Sequence, residues 1–151
     1  MIIAVDFDGT CVRHEFPKVG ADIGAVPVLK ALVANGHQLI LWTVRGNVNN
    51  PTTTLPDLVI EPGSYLDDAV QWFKDNDIEL YGINENPEQA TWSKSPKCFA
   101  NLYIDDMAIG APLVFQLGER AYINWDYVYR ALVVAGILTG LEGELGDQDN
   151  E

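Results

Sequence analysis

Basic residues are scarce in this chain. Nine Lys and Arg stand against 22 Asp and Glu, a formal net charge of −13. A nucleic-acid polymer or an anionic membrane surface is therefore a poor partner, because no basic patch exists to release phosphate counterions. A single phosphate group could still be held locally by a metal and one lysine. Cysteine is nearly absent as well. Cys11 and Cys98 make neither a disulfide framework nor a zinc-like spacing. The expected setting is a reducing cytoplasm, with Cys11 a small buried filler beside an acidic motif. No apolar run reaches membrane-spanning length, the N-terminus opens straight into a strand-like segment, and no internal repeat occurs.

What is present is a foldable core. At 151 residues and 48% hydrophobic content, the chain suits one domain that buries about two-thirds of its unfolded surface. Ile2 to Asp6, Gln38 to Thr43, Leu80 to Ile83 and Leu102 to Asp105 read as strands. The first is continuously apolar, as in a parallel strand covered on both faces. Val26, Leu29, Leu32 and Val33 follow helical spacing, with Pro27 in the first turn and Gly36 as the stop. Ser64 with Asp67 marks a second helix start, and Leu66, Ala69, Val70 and Phe73 form its apolar face. Asn124 caps a last helix from Trp125 to about Ile137, burying Val128, Leu132 and Val133. Gly46–Gly63 reads as a loop with an extended piece at Leu58-Val59-Ile60, and Pro87–Pro96 as irregular. Residues 1–140 form the domain. Residues 141–151, rich in acids and free of bases, read as a solvated tail.

Strands alternating with helices predict an α/β domain with a mainly parallel sheet. Right-handed crossovers then bring Asp6, Thr43 and Asp105 to one sheet edge, where ligands of open α/β sheets bind. The acids are the chemical signal. Asp6-Phe7-Asp8-Gly9-Thr10 follows the first strand, and Asp105-Asp106 follows the last. Three or four carboxylates at one edge repel one another unless a cation neutralises them, and a hard divalent ion such as Mg2+ suits oxygen ligands.

These residues, with Thr43 after the second strand and Lys97 before the last, resemble the haloacid dehalogenase-like (HAD) superfamily of phosphohydrolases. The resemblance spans residues 2 to about 110. It implies a Rossmann-like three-layer sandwich with the first strand central, and an Mg2+-dependent phosphatase working through an aspartyl-phosphate. Asp6 would be the nucleophile and Asp8 the general acid and base. Asp6, Asp105 and the backbone carbonyl of Asp8 would hold the metal, with Asp106 acting through water or behind them. Thr43 would donate to a phosphoryl oxygen, and Lys97, with Lys94 as competitor, would offset charge. Gly9 and Thr10 would shape the phosphate-binding turn, and Arg45 could clamp a substrate anion. Arg13 and His14 lie in the loop that follows and could touch substrate.

Neither inter-element loop is long enough for a separate cap domain. The site is thus expected to be open, suited to a phosphorylated macromolecule or closed over a phosphorylated small molecule by a second subunit of a homo-oligomer. Leu58-Val59-Ile60 either covers the site or tucks into the core. Two other readings use the same fold: a catalytically silent binding protein, and a receiver-like phospho-acceptor. The latter lacks an acceptor Asp at the end of a middle strand, because Asp57 precedes its apolar stretch.

Overall fold

The computed structural model describes residues 1–54 and 57–140; the expected acidic tail lies outside them. In chain order the elements are β1 (Ile2–Val5), α1 (Ala25–Ala34), β2 (Gln38–Leu41), β3 (Asn47–Val48), β4 (Thr52–Thr53), β5 (Val59–Ile60), β6 (Gly63–Ser64), α2 (Tyr65–Asp75), β7 (Gly82–Ile83), β8 (Leu102–Ile104), β9 (Leu113–Val114), β10 (Tyr122–Ile123) and α3 (Trp125–Val134). A short 3-10 turn covers Gln89–Thr91. The central sheet has the order β7-β2-β1-β8 and is wholly parallel. The apolar β1 sits inside it, as the resemblance implied. No helix among the described residues is long and apolar enough to cross a membrane.

Side chains alternate across a strand, and the odd-numbered residues of β1 explain the helix layer. Ile3 and Val5 join Leu39, Leu41 and Ile104 in one core cluster with residues of all three helices, among them Leu29, Leu32, Phe73, Val128 and Leu132. Phe7 continues the same parity beyond the strand. Its ring meets Trp72 edge-on at 5.7 Å and Phe73 at 6.2 Å, which brings α2 to the face that α1 and α3 occupy. Ala4 and Ile40 point to the other face and are also buried. The chain from Asn84 to Asn101 connects the two outer strands of the sheet, β7 and β8. The helices thus form one layer on the sheet, and no α-helix among the described residues lies in this connection. Its polar, Pro-bounded composition gave no helical period to read.

Local signals fared unevenly. Asn124 caps α3, its side chain accepting from the Tyr127 N–H. Ser64 does not cap α2; the side chain of Asn47 accepts from the Leu66 and Asp67 N–H groups instead. Asp22 performs the same service for Ala25 and Val26 of α1. Gly36 ends α1 with φ +82°, a conformation only glycine adopts freely. The Gly46–Gly63 segment is not a plain loop: β3 pairs with β6, and β4 with β5, both antiparallel. Val59 is 51% exposed, so Leu58-Val59-Ile60 is not core. Cys11 is fully buried, which pushes its thiol well up in pKa and fits a filler.

Trp125, at the start of α3, ties this helix to the acidic turn. Its indole N–H donates to the Thr10 carbonyl at 2.6 Å in a buried setting. Trp125→Phe keeps a ring but leaves that carbonyl without its donor. The expected loss is about 1–3 kcal/mol, read by chemical denaturation; an unchanged midpoint and slope would show that the bond contributes nothing.

Candidate metal site

Register brings the acids together. Val5 of β1 is level with Ile104 of β8 and with Leu41 of β2. Asp6 and Asp105 each follow their strand by one residue and so leave the same sheet edge, with Thr43 two residues past β2. The Asp6 N–H still donates to the Ile104 carbonyl at 3.0 Å. One carboxylate oxygen from each of Asp6, Asp105 and Asp106 falls within 4.8 Å of the others. Mg2+ binds oxygen at about 2.1 Å, so oxygens opposite each other across it lie about 4.2 Å apart. Small side-chain adjustments would close the difference. The donors are all hard oxygens, and this group could hold such a cation.

Burial makes the cluster electrostatically costly. Desolvation pushes the Asp6 carboxyl up from 3.8 to about 7, with the charges of Asp105 and Asp106 adding to it. Hydrogen bonds from the Phe7 N–H and the Thr10 hydroxyl oppose the rise. The Thr10 hydroxyl lies 2.9 Å from Asp6 Oδ2 and 3.3 Å from Asp106 Oδ1. With one proton to give, it serves the shorter contact, and its oxygen accepts from the Asp106 N–H at 3.1 Å. Asp106 Oδ2 is met by His14 Nε2 at 2.9 Å. The carboxylate only accepts, so that nitrogen carries the proton. Asp106 is thus held by His14 at Oδ2 and, through its backbone N–H, by Thr10. Asp6 and Asp105 are not paired with any basic side chain among the described residues, whereas Asp106 is turned toward His14, so the first two are the better placed to meet a cation directly.

Gly9 is required twice over. Its φ is +80°, and a Cβ there would overlap His14 Nε2 and Asp106 Oδ2. Its N–H donates to the Val12 carbonyl at 2.7 Å and the Thr10 N–H to the Phe7 carbonyl at 3.2 Å. The two residues expected to bind substrate therefore build the turn, and neither amide is free in this structure.

Arg45 also differs from its expected role. It is 3% exposed and grips Asp8 with two bonds, Nε to Oδ2 at 2.6 Å and Nη2 to Oδ1 at 2.7 Å. Its other N–H groups reach the carbonyls of Lys18, Pro17 and Tyr65. All five donors of the guanidinium are thus engaged within the chain. The Asp8 carboxylate is oriented by Arg45 and stands outside the metal-competent trio.

Thr43 accepts from the Arg45 N–H at 3.1 Å, and its own N–H donates to the Asn84 side chain at 2.8 Å. It lines a recess of about 400 Å3 together with Asp6, Asp105 and Asn84. A larger cavity of about 720 Å3 opens from the same two acids and is lined also by Asp8, His14, Asp106, Tyr65 and Arg120. Lys97 lines neither. It is exposed, with Nζ 5.5 Å from the Tyr103 ring centroid. It precedes β8 by five residues and so belongs to the opposite end of that strand from Asp105. Lys94 lines a separate depression that shares only Asn84 with the Thr43 recess. No motif in the sequence marks Arg120, which follows the turn at Gly118, φ +81°. Leu113-Val114 and Tyr122-Ile123, β-prone pairs around a Gly-centred turn, were the available signal for that hairpin.

No protein-family model matches the chain, and no curated protein does. A solved structure of a conserved protein from Bacteroides thetaiotaomicron is similar, at 33% identity and a TM-score of 0.62, over 90% of this chain and 91% of that one.

The raised Asp6 carboxyl carries a signed prediction. Between about 3.8 and about 7 the folded chain holds a proton that the unfolded chain releases. This group's stabilisation is complete below that window and is lost as pH rises through 7. Metal-free protein should therefore melt lower at pH 8 than at pH 5. Mg2+ should raise the melting temperature more at pH 8, and Asp6→Asn should remove that difference. Equal Mg2+ responses at both pH values, or the same response in the variant, would refute the cluster as the binding site.

Proposed function

The chain belongs to one family with the conserved Bacteroides thetaiotaomicron protein, and we propose that it is a Mg2+-dependent phosphatase of the capless haloacid dehalogenase-like type. The observation that carries this reading is the Asp6–Asp105 pair. Two acids one residue beyond adjacent parallel strands border a recess that also holds Thr43, close enough with Asp106 to share a cation. A bound Mg2+ would neutralise the carboxylates and polarise a phosphoryl oxygen.

The residues divide the work. An Asp6 carboxylate oxygen attacks phosphorus, and the bond from phosphorus to the alcohol oxygen breaks, leaving an aspartyl-phosphate. Asp8 gives a proton to the departing alkoxide. Asp8 then takes a proton from water, whose oxygen attacks phosphorus and releases Asp6 and inorganic phosphate. Arg45 orients the Asp8 carboxylate and, through its two bonds, holds it ionised as the second step requires; for the first step Asp8 enters protonated, with one of those bonds given up. The Thr43 hydroxyl is available to a phosphoryl oxygen. Thr10 and His14 hold Asp106 behind the metal ligands. The absence of Lys97 from the cavity is the one feature that favours a silent binding module, and the assays below separate the two.

Asp6→Asn removes the nucleophile and a metal ligand while keeping its size. Turnover of p-nitrophenyl phosphate should fall by at least ~10^3, and EDTA should abolish wild-type activity until Mg2+ is restored. A tenth of wild-type activity in the variant, or full activity in chelated protein, would overturn the assignment. Asp8→Asn should slow hydrolysis of the intermediate, so that phosphate accumulates on Asp6. Rapid quench should recover it as an acid-stable, hydroxylamine-labile adduct. Single-turnover cleavage without any such adduct would point to direct attack by water.

A further inference from the structure

Resting on the phosphatase reading, we infer that the substrate is a small phosphate monoester whose alcohol carries an apolar ring and a second anionic group, the latter received by Arg120. The two cavities that share Asp6 and Asp105 supply the argument. The smaller recess contains Thr43 and suits the phosphoryl group. The larger one extends from the same two acids, so whatever is bonded to the phosphoryl oxygen must occupy it.

Its size and walls select the occupant. About 720 Å3 falls within the ordinary range for small-molecule sites, roughly 300–1,000 Å3. Phe16, Val48, Ile60, Tyr65 and Met107 line it. Phe16 and Tyr65 form a tilted aromatic pair at 5.1 Å, and Phe16 is held from behind by Arg45, whose Cζ lies 5.2 Å from its ring. The Phe16 ring is 45% exposed and Met107 is 76% exposed. Apolar surface placed beside a carboxylate floor is of no use to a hydrated, purely polar alcohol, but it removes an aromatic or heterocyclic ring from water. Val48 of β3 and Phe16, in the loop after β1, form part of the cavity's wall.

Arg120 completes the set. Lys and Arg are rare here, and among the described residues Arg45 and Arg120 are the two that line the larger cavity, beside His14, which is engaged by Asp106. All five N–H groups of Arg45 are engaged. Arg120 has no hydrogen-bond or ion-pair partner among the described residues. It does not line the Thr43 recess, so it is displaced from the phosphoryl position and faces the alcohol portion. Its neighbour Glu119 pairs with Arg13, which fastens the hairpin loop carrying Arg120 to the loop that follows β1. An otherwise acidic cavity gains from one unpaired guanidinium only if an incoming anion meets it. A carboxylate or a second phosphate on the ring would do so with bidentate geometry.

The test uses the full-length Mg2+-loaded protein and four probes: phenyl phosphate, 4-carboxyphenyl phosphate, glycerol 1-phosphate and a phosphoserine peptide. The expected order of kcat/KM is carboxyphenyl above phenyl above glycerol phosphate, each step about tenfold or more, with the peptide last. Arg120→Gln should collapse the carboxyphenyl-to-phenyl ratio at least tenfold. Phe16→Ala, with Val48→Ser as a second variant should the first melt early, should collapse the phenyl-to-glycerol ratio. Glycerol phosphate or the peptide equalling phenyl phosphate would overturn the ring inference. An unchanged carboxyphenyl-to-phenyl ratio in Arg120→Gln would overturn the role of Arg120. Should no ester turn over, the phosphatase reading fails, and calorimetry with benzylphosphonate and 4-carboxybenzylphosphonate reads the cavity independently. Tighter, Arg120-dependent binding of the carboxylated compound would sustain the ligand class; equal binding or none would end it.

Discussion

Three carboxylate oxygens within 4.8 Å of one another repel, and partial burial strengthens the repulsion by lowering the local dielectric. The surrounding architecture answers this conflict. Thr10 gives its one proton to Asp6, His14 donates to Asp106, and backbone N–H groups of Phe7 and Met107 reach Asp6 and Asp105. These contacts leave Asp6 still pushed up to about 7. The residual imbalance is what a hard cation would remove, and it motivates both the metal and the pH dependence of stability.

A second interaction divides the acids by role. Asp8 lies only two residues from Asp6, yet its carboxylate faces Arg45 and stays apart from the trio. The direction follows from Phe7, which is wholly buried between them. Phe7 anchors against Trp72 and Phe73 and also carries the Arg45 guanidinium 5.1 Å from its ring centroid. One aromatic side chain thus fixes the turn, the second helix and the orientation of Asp8. In the proposed reaction, an acid held beside Asp6 but outside the carboxylate trio is suited to proton transfer to the departing alkoxide and from water.

Two short antiparallel ribbons lie between β2 and α2. Ile60 and Val48 line the cavity while Val59 turns outward. A few paired residues of the same domain thus form part of the cavity wall. Two-residue ladders are weak alone, and these are stabilised by their attachment to α2 through Asn47. The walls of the cavity and the start of the helix thus depend on the same residue.

Much of the central sheet was legible in the sequence because parallel strands covered on both faces read as apolar runs, as Ile2–Val5 and Leu39–Leu41 do. The acids at their ends followed from chain order and the right-handed crossover alone. Helix positions followed from the 3.6-residue period, as at Leu29, Phe73 and Leu132. What only the tertiary structure decided concerns groups that meet across long separations. No local pattern announces that Arg45 spends all five donors on Asp8 and three distant carbonyls, or that Asn47 caps a helix that Ser64 seemed to start. The same holds for Lys97, whose sequence distance from Asp105 is short but whose strand carries it to the far end of the sheet. Sequence spacing measures separation along the chain, whereas hydrogen bonds and charges act through space. Local elements were therefore readable, and the partners of each charged side chain were not.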